Sequence, residues 1–426
     1  MILNRKEAPS MGKVEKLSLS YPEIGTMESG NPSYTIRDSK THLIKIDLMW
    51  NIGFSGKQKY LHFLLSKSVF SGTNDMDASS IETQMKMLGC EYNFVVFEEH
   101  ATLKFKGLKK NYLKAVSLLL SFFDKAIFPE EELTVLKKME AASLESRFKT
   151  PGYWASRELT EKLYPTSHPK FRISETSDIH DVTREQLLKY HTSFKIKDST
   201  LFIYGDVSTS DEKELSSIIG SFGQYEPTVK KVLNYQTSQM EKGFFSKPVK
   251  NTNQVVLNAA YIQNDIKESE MPLVQLMNIS MGGFFGSRLM KEVRENKGLT
   301  YGIGSSVSWQ NGLFKLQVSC QMNAQNAGLA IEAIKEIINS IQKDGITEEE
   351  FHRSKRYFIG QLYSSVDAPD SLLNKIQHAL SKNKPINTFE QKCNTILNAK
   401  IDTINLLAQR ICTADKFAWC SAGDVS

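Results

Sequence analysis

The sequence predicts an α+β chain of two homologous lobes, each a mostly antiparallel sheet with helices packed on one face, closed on each other like a clamshell. Three observations carry that prediction. Gly205-Asp206-Val207-Ser208 recurs as Gly423-Asp424-Val425-Ser426, an offset of 218 residues. Phe128-Pro129-Glu130-Glu131-Glu132-Leu133 resembles Gly345-Ile346-Thr347-Glu348-Glu349-Glu350-Phe351, with Glu130 and Glu348 at the same offset, and so are Pro151 and Pro369. Anchors sharing one offset mark a duplication, and self-similarity on this scale decides the architecture before any single element does.

Each copy reads in the same order. A strand opens it: Ile44, Ile46 and Leu48 alternate with Lys45 and Asp47, and the second copy begins with Val255-Val256-Leu257-Asn258-Ala259. A helix and a second strand pair follow. Leu113, Val116, Leu120 and Phe123 then mark one face of an amphipathic helix, as Ile331, Ile334, Ile338 and Ile341 do in the second copy. An acidic helix start comes next, at Pro129-Glu130-Glu131-Glu132 and at Thr347-Glu348-Glu349-Glu350, where Thr347 and Glu350 have capping-box spacing. Each copy closes on a strand ending in Gly-Asp. The polar stretch 226–253, with Pro227, Gly243 and Pro248, reads as a linker between lobes 1–225 and 254–426.

Composition narrows the function. A net charge of +5 on 426 residues, with lysines mixed among acids, describes a solvated surface and no nucleic-acid footprint. The longest apolar run, Leu118–Phe123, is broken by Ser121 and falls far short of the ~18 residues a membrane span needs. The first residues show no secretory signal, and five cysteines without Cys-x-x-Cys spacing read as reduced thiols, so the expected location is cytoplasmic, with a removed signal and a periplasmic site as the alternative.

A hydrolytic metal site calls for two or three His or carboxylate ligands, and two histidines at i and i+4 share a helix face. None of the eight histidines lies three to five residues from another. Glu98-Glu99-His100 looks like the end of such a motif, but the run Asn93–Phe105 reads as strand, where this spacing does not close on one ion. Gly282-Gly283-Phe284-Phe285-Gly286 lacks a Gly-Lys-Ser/Thr ending and reads as a tight or mobile turn near the interlobe cavity. The segment Ser287–Gly302 reads as a helix ending near Gly298, then a strand from Tyr301. Arg294 and Tyr301 on it either converge to hold a carbonyl or developing oxyanion, or serve as a helix-end cation beside a half-buried phenol.

That segment resembles the signature of the C-terminal half of the M16 (insulinase, mitochondrial-processing-peptidase) zinc peptidases: Ser-Arg-Leu, three residues, Arg, six residues, Tyr. The resemblance extends through Val69-Phe70-Ser71-Gly72-Thr73, Leu88-Gly89-Cys90-Glu91-Tyr92-Asn93, Phe128-Pro129-Glu130-Glu131-Glu132 and Tyr164-Pro165-Thr166-Ser167-His168-Pro169. It implies the LuxS/MPP-like metallohydrolase fold. The family's His-x-x-Glu-His motif falls on Phe63 to Lys67, so the two histidines and the base glutamate correspond to Phe63, Lys67 and Ser66. The third ligand corresponds to Ser146, with Glu145 adjacent. The resemblance therefore implies no metal bound by this chain and zinc in a partner subunit. The Arg294/Tyr301 pair would act in trans on the partner's site, and peptide substrate would add as a strand along Asn93, Phe94, Val95, Val96 and Phe97.

The expected protein is the non-catalytic subunit of a heterodimeric M16-type peptidase, forming a homodimer when isolated. A non-proteolytic binding or scaffold protein on the same fold is the alternative, and a peptidase using displaced ligands such as His62, Glu145 and His100 is the third.

Overall fold

A computed structural model describes residues 18–52, 59–171, 173–222, 240–250, 252–368 and 370–424. The strands are β1 (Glu23–Thr26), β2 (Pro32–Arg37), β3 (Leu43–Asn51), β4 (Cys90–Val96), β5 (His100–Leu108), β6 (Thr200–Gly205), β7 (Gly243–Pro248), β8 (Gln254–Gln263), β9 (Gly302–Gln310), β10 (Leu313–Asn323) and β11 (Ala418–Gly423). They form a six-stranded sheet in the order β1-β2-β6-β3-β5-β4 and a five-stranded sheet in the order β7-β11-β8-β10-β9. All pairs are antiparallel except β2–β6 and β7–β11.

The helices of the first copy are α1 (Lys59–Ser68), α2 (Ala78–Met87), α3 (Tyr112–Asp124), α4 (Glu130–Phe148), α5 (Pro151–Leu163), α6 (Thr176–His180), α7 (Arg184–His191) and α8 (Thr209–Gly220). Those of the second are α9 (Met271–Asn278), α10 (Ala327–Asp344), α11 (Glu348–Ser364), α12 (Ser371–Ser381), α13 (Thr388–Leu397) and α14 (Ile401–Ile411). The amphipathic faces fall where the apolar spacing puts them: Val116, Leu120 and Phe123 of α3 are buried, as are Ile331, Ile334, Ile338 and Ile341 of α10. Thr347 Oγ1 accepts from the Glu350 amide at 3.2 Å while the Glu350 carboxylate accepts from the Thr347 amide at 2.9 Å, closing the capping box at the start of α11.

The repeated Gly-Asp anchors have a backbone cause. Gly205 and Gly423 have φ of +136° and +148°, and a Cβ there would sit 2.7 Å from the Leu43 carbonyl oxygen and 2.5 Å from that of Gln254. Only glycine serves at the end of β6 and β11, so duplication preserves it in both copies. Glu130 and Glu348 open α4 and α11, while Pro369, Val425 and Ser426 lie outside the described residues.

Three features depart from the sequence reading. The stretch 226–253 is not connector throughout: 226–239 and 251 lie outside the described residues, but β7 adds to the edge of the second sheet, where the carboxy-terminal Pro248 needs no amide donor. The run Asn93–Phe105 is a hairpin, with β4 and β5 joined through Phe97, Glu98 and Glu99. None of those turn residues is Gly, Pro or Asn, and the chain reverses on a bond from the Phe97 amide to the His100 carbonyl at 2.8 Å.

The third is an exchange of helices between lobes. The inner face of each sheet carries its own copy's helices, as expected. The opposite face of the first sheet packs Tyr34, Ile36, Met49, Phe202 and Tyr204 against Leu372, Leu373 and Ile376 of α12. Leu159 and Leu163 of α5 pack reciprocally against Ala260, Ile262, Ala418 and Cys420 of the second sheet. Polar bonds fix both docks: Gln377 Nε2 donates to Asp47 Oδ2 at 2.7 Å, Lys45 pairs with Asp370, and Asn258 Nδ2 donates to Ser156 Oγ at 3.0 Å. Each copy therefore completes the other's outer layer.

Candidate functional site

Two regions hold the residues singled out from the sequence. The first lies between α1 and β4, the edge strand of the first sheet. A cavity of about 370 Å³ there is lined by His62, Phe63, Ser66 and Lys67 of α1 and by Asn93 through Phe97 with Glu98. Three of the four positions corresponding to metal-motif residues thus share one cavity with the whole expected peptide-binding edge. Residues 63 and 67 are one helical step of four apart, so α1 turns both to the same side. Ser146 and Glu145 are exposed on α4 and do not line this cavity.

Two polar side chains of the cavity, Ser66 and His62, are engaged by the protein itself. Ser66 Oγ donates to the His62 carbonyl at 2.8 Å and accepts from the Val96 amide at 3.0 Å. Phe97 bonds inward to His100, so by the two-residue period Val96 and Phe94 turn their amides away from β5, toward α1. The hydroxyl at the motif's glutamate position therefore occupies one outward donor of the edge strand. His62 stacks on Tyr190 of α7, with Nε2 2.9 Å from the phenol oxygen. Burial pushes the Tyr190 hydroxyl far above its ordinary range. Beneath them Trp50, Phe94, Phe123 and Phe194 form stacked and edge-on pairs that fill the lobe.

This donor set does not fit zinc. Phe63 offers no lone pair, Lys67 offers a cation, and Ser66 offers a hydroxyl already bonded at both ends. The displaced set is not assembled either: His62 lines this cavity, Glu145 is exposed on α4, and His100 stacks on Phe97 over a neighbouring cavity. Among the described residues no three His, Cys, Asp or Glu side chains gather where they could hold a metal ion.

The second region is the turn from residue 279 to Tyr301. α9 runs into a π-helical turn, Ile279–Gly283, and a second π-helical segment spans Met290–Asn296. Such wide turns are concentrated at functional positions. Gly282 is buried against β9, and a Cβ there would meet Ser305 Oγ at 2.5 Å and Ser305 N at 2.8 Å. Close packing accounts for this glycine, in keeping with the tight form of the tight or mobile turn read from the sequence. The helix ends through Gly298, whose φ is +60° and whose amide bonds to the Arg294 carbonyl at 3.2 Å.

Arg288, Arg294 and Tyr301 have different surroundings. Arg288 is largely buried: Nε donates to Glu350 Oε1 at 2.8 Å, a second arm pairs with Oε2, and Nη2 donates to the Gly345 carbonyl at 3.1 Å. Burial alone would raise the Glu350 carboxyl, but the bonds from Arg288 and Thr347 hold it below its ordinary value. Arg288 belongs to the sequence signature, yet its work is structural, which the spacing alone does not reveal. Arg294 lies in the second π-helical segment with its guanidinium 5.3 Å from the ring centre of Phe285, itself 62% exposed. Among the described residues Arg294 has no acidic partner. Tyr301 is also 62% exposed, and its hydroxyl is 3.4 Å from Asn323 Oδ1. No hydrogen bond joins Arg294 to Tyr301 among the described residues, and neither lines the α1–β4 cavity. Phe285 is the residue that sequence reasoning missed here; its signal in the sequence is a Phe between Phe284 and Gly286 in a glycine-rich turn, and its exposure shows only in the structure.

Comparison with known proteins gives a family match and a shared fold. Residues 181–358, which include Arg294 and Tyr301, match the family model described as the peptidase M16 inactive domain. The chain is 23% identical over 363 residues to a Bacillus subtilis protein named uncharacterized zinc protease YmxG, covering 83% of this chain and 86% of that one. It is 20% identical over 349 residues to a Helicobacter pylori protein named non-peptidase homolog YmxG, covering 80% and 79%. Among solved structures, a peptidase M16 inactive domain from Pseudomonas fluorescens superposes with a TM-score of 0.82 at 21% identity, covering 94% of this chain and 98% of that one. A protease from Helicobacter pylori superposes with a TM-score of 0.80 at 15% identity, covering 95% and 100%. At these identities the superpositions establish the shared two-lobe α+β fold. Among the described residues no helix is long and apolar enough to cross a membrane.

Proposed function

We propose, for a chain that belongs to the M16 peptidase family and lacks its His-x-x-Glu-His motif, the role of a non-catalytic subunit in a two-chain zinc peptidase. The zinc belongs to a partner subunit that keeps the motif. This chain holds peptide along the β4 edge and presents Arg294 and Tyr301 to the partner's site. The observation that carries the reading is the state of that pair: a guanidinium without an acidic partner among the described residues, set against an exposed Phe285, and a phenol 62% exposed. The fold does not consume these groups, whereas it fully consumes Arg288 six residues earlier.

The chemistry follows from what an Arg and a phenol supply. Both donate hydrogen bonds, and donors aimed at a developing oxyanion lower the barrier to peptide hydrolysis. The zinc of the partner would supply the activated water. This chain's own residues would orient the peptide: the edge strand fixes the backbone register, and the Arg/Tyr pair holds a carbonyl. The second reading is a non-proteolytic binding protein, for which the α1–β4 cavity suffices on its own.

Co-expression with an M16 subunit that retains His-x-x-Glu-His, followed by size-exclusion chromatography and cleavage of a quenched fluorescent peptide library, separates the two. A stable complex whose kcat drops when Arg294→Ala or Tyr301→Phe is introduced supports the subunit role. An assembled pair with unchanged kcat in both variants would remove the trans-acting role and leave the binding protein.

A further inference from the structure

Beside the α1–β4 cavity lies a second one of about 530 Å³, bounded by the β4–β5 hairpin, β5, α12 and Gln310 at the end of β9. It is an interlobe space, because α12 and β9 come from the second copy. Phe97 and Glu98 line both cavities, so the two are neighbours across one turn.

Its charges are unevenly matched. Glu98 is satisfied from two sides, by Lys170 Nζ at 3.1 Å and by Gln310 Nε2 at 3.0 Å. Glu99 accepts from the same Gln310 nitrogen at 3.0 Å. Asp47, behind the wall, accepts from Gln377, and burial raises its carboxyl above the ordinary range. On the other side stand Lys104 of β5, Lys382 just past α12, His100 at the start of β5 and His378 on α12. Among the described residues none of these four has a carboxylate within ion-pair distance. With Glu98 matched by Lys170, Glu99 is the one carboxylate left in the lining against two lysines, Asp47 behind the wall also being within electrostatic reach of Lys104, and two imidazoles add donors.

The electrostatics point the same way. Burial holds His100 at about 4, and the nearby positive groups His378, Lys104 and Lys382 push it further in that direction. His378 is lowered by burial and by Lys382, Lys384 and Lys375, with Glu99 opposing. Burial first and the neighbouring lysines second thus keep both imidazoles in their neutral, N–H-donating form, and the positive charge of the cavity is that of the lysines.

We propose that this interlobe cavity is a carboxylate-binding subsite for peptide, taking an acidic side chain or a C-terminal carboxylate from a chain laid along β4. In its peptide form the inference rests on the edge-strand reading above; the carboxylate preference of the cavity does not. A β-strand advances ~3.3 Å per residue, so a peptide leaving the β4 edge near Phe97 needs only a few residues to reach Lys104 and Lys382. The lysines supply charge and the imidazoles supply N–H donors, a set suited to a carboxylate held at a partly desolvated wall.

The test uses the full chain with fluorescein-labelled ten-residue peptides of alternating Val and Thr carrying two Glu, the same peptide with Gln, and C-terminally amidated forms of both. The expected result is binding about tenfold tighter for the acidic or free-carboxylate form, the preference vanishing in a K104Q/K382Q double variant whose affinity for the amidated Gln peptide is unchanged. Loss of preference on amidation assigns the terminus, and loss on the Glu-to-Gln exchange assigns a side chain. Glutarate is titrated in parallel while the His100 and His378 ring resonances are followed, assigned from H100N and H378N. Equal affinity for all peptides overturns the subsite and leaves the edge-strand reading standing. Absent peptide binding with glutarate-dependent shifts of both rings, lost in K104Q/K382Q, overturns the edge-strand reading and keeps the carboxylate preference. Neither response overturns both.

Discussion

The cavity between α1 and β4 and the turn from Gly282 to Tyr301 lie in opposite copies of one duplicated unit, and the groups that stand at their motif positions differ in how far the fold engages them. In the first, Ser66 is bonded to His62 and Val96, and His62 is stacked on Tyr190. In the second, one arginine is buried against a carboxylate while another, six residues on, keeps no acidic partner among the described residues. The contrast separates groups spent on folding from groups held in reserve. A side chain that folding leaves unpaired in a closely packed turn is a candidate for work on another molecule.

The largest expected effect tests the spent arginine. Arg288→Ala leaves Glu350 in a largely enclosed position without its bidentate partner, which costs about 3–5 kcal/mol when a buried pair is broken. Urea unfolding should show the loss directly. A change below ~1 kcal/mol would mean that solvent screens the pair and that the turn needs no such anchor.

Next comes the reserved pair. Arg294→Ala or Tyr301→Phe should lower kcat of an assembled two-chain peptidase by roughly 10²-fold, the usual result of removing one donor to a developing oxyanion. Both are surface changes, so the stability of the isolated chain should move by no more than ~0.5 kcal/mol. The comparison breaks if Arg294→Ala destabilises the chain as much as Arg288→Ala does.

How far this contrast could be read from the sequence depends on whether the determinant is local. The duplication was legible because Gly205 and Gly423 each answer a positive φ and a close approach of a neighbouring strand. The capping box at Thr347 and the apolar faces of α3 and α10 were legible for the same reason: their partners lie within a turn or two of helix. The exchange of α5 and α12 was not. An apolar stripe such as Leu372, Leu373 and Ile376 fits either sheet, and only the complete chain decides which one it covers. The turn at Phe97–Glu99 carries no turn-forming residue, so the run Asn93–Phe105 reads as strand without showing where it reverses. Arg288 and Arg294 look alike in the sequence; Glu350, 62 residues away, separates them.

A smaller effect comes from acid, in the packing beneath the first-copy cavity. His191 of α7 sits edge-on to Phe123 and Phe128, and burial lowers it to about 4 despite a bond involving the Phe123 backbone. The unfolded chain takes up the proton near 6.5, so the folded state binds fewer protons between the two values. Stability is therefore fully present above pH ~6.5 and is lost as pH falls toward 4, by up to about 3 kcal/mol. His191→Phe or, if that overpacks, His191→Asn should flatten this part of the stability profile. An unchanged slope in both would place the acid sensitivity elsewhere.

The smallest effect bears most directly on what the edge strand is free to do. Ser66→Ala removes one hydroxyl and leaves the Val96 amide without its acceptor, at a cost of ~1 kcal/mol in the isolated chain. That amide is an outward donor of β4, the kind of group an added peptide strand pairs with. If peptide pairs at Val96, Ser66 competes for the same hydrogen, and its removal should strengthen binding of an extended peptide by up to about tenfold while weakening the chain slightly. If peptide stops short of Val96, affinity stays constant and only stability changes. Weaker peptide binding in Ser66→Ala would mean that the hydroxyl itself contacts the ligand, and the first-copy cavity would then hold a reserved group of its own.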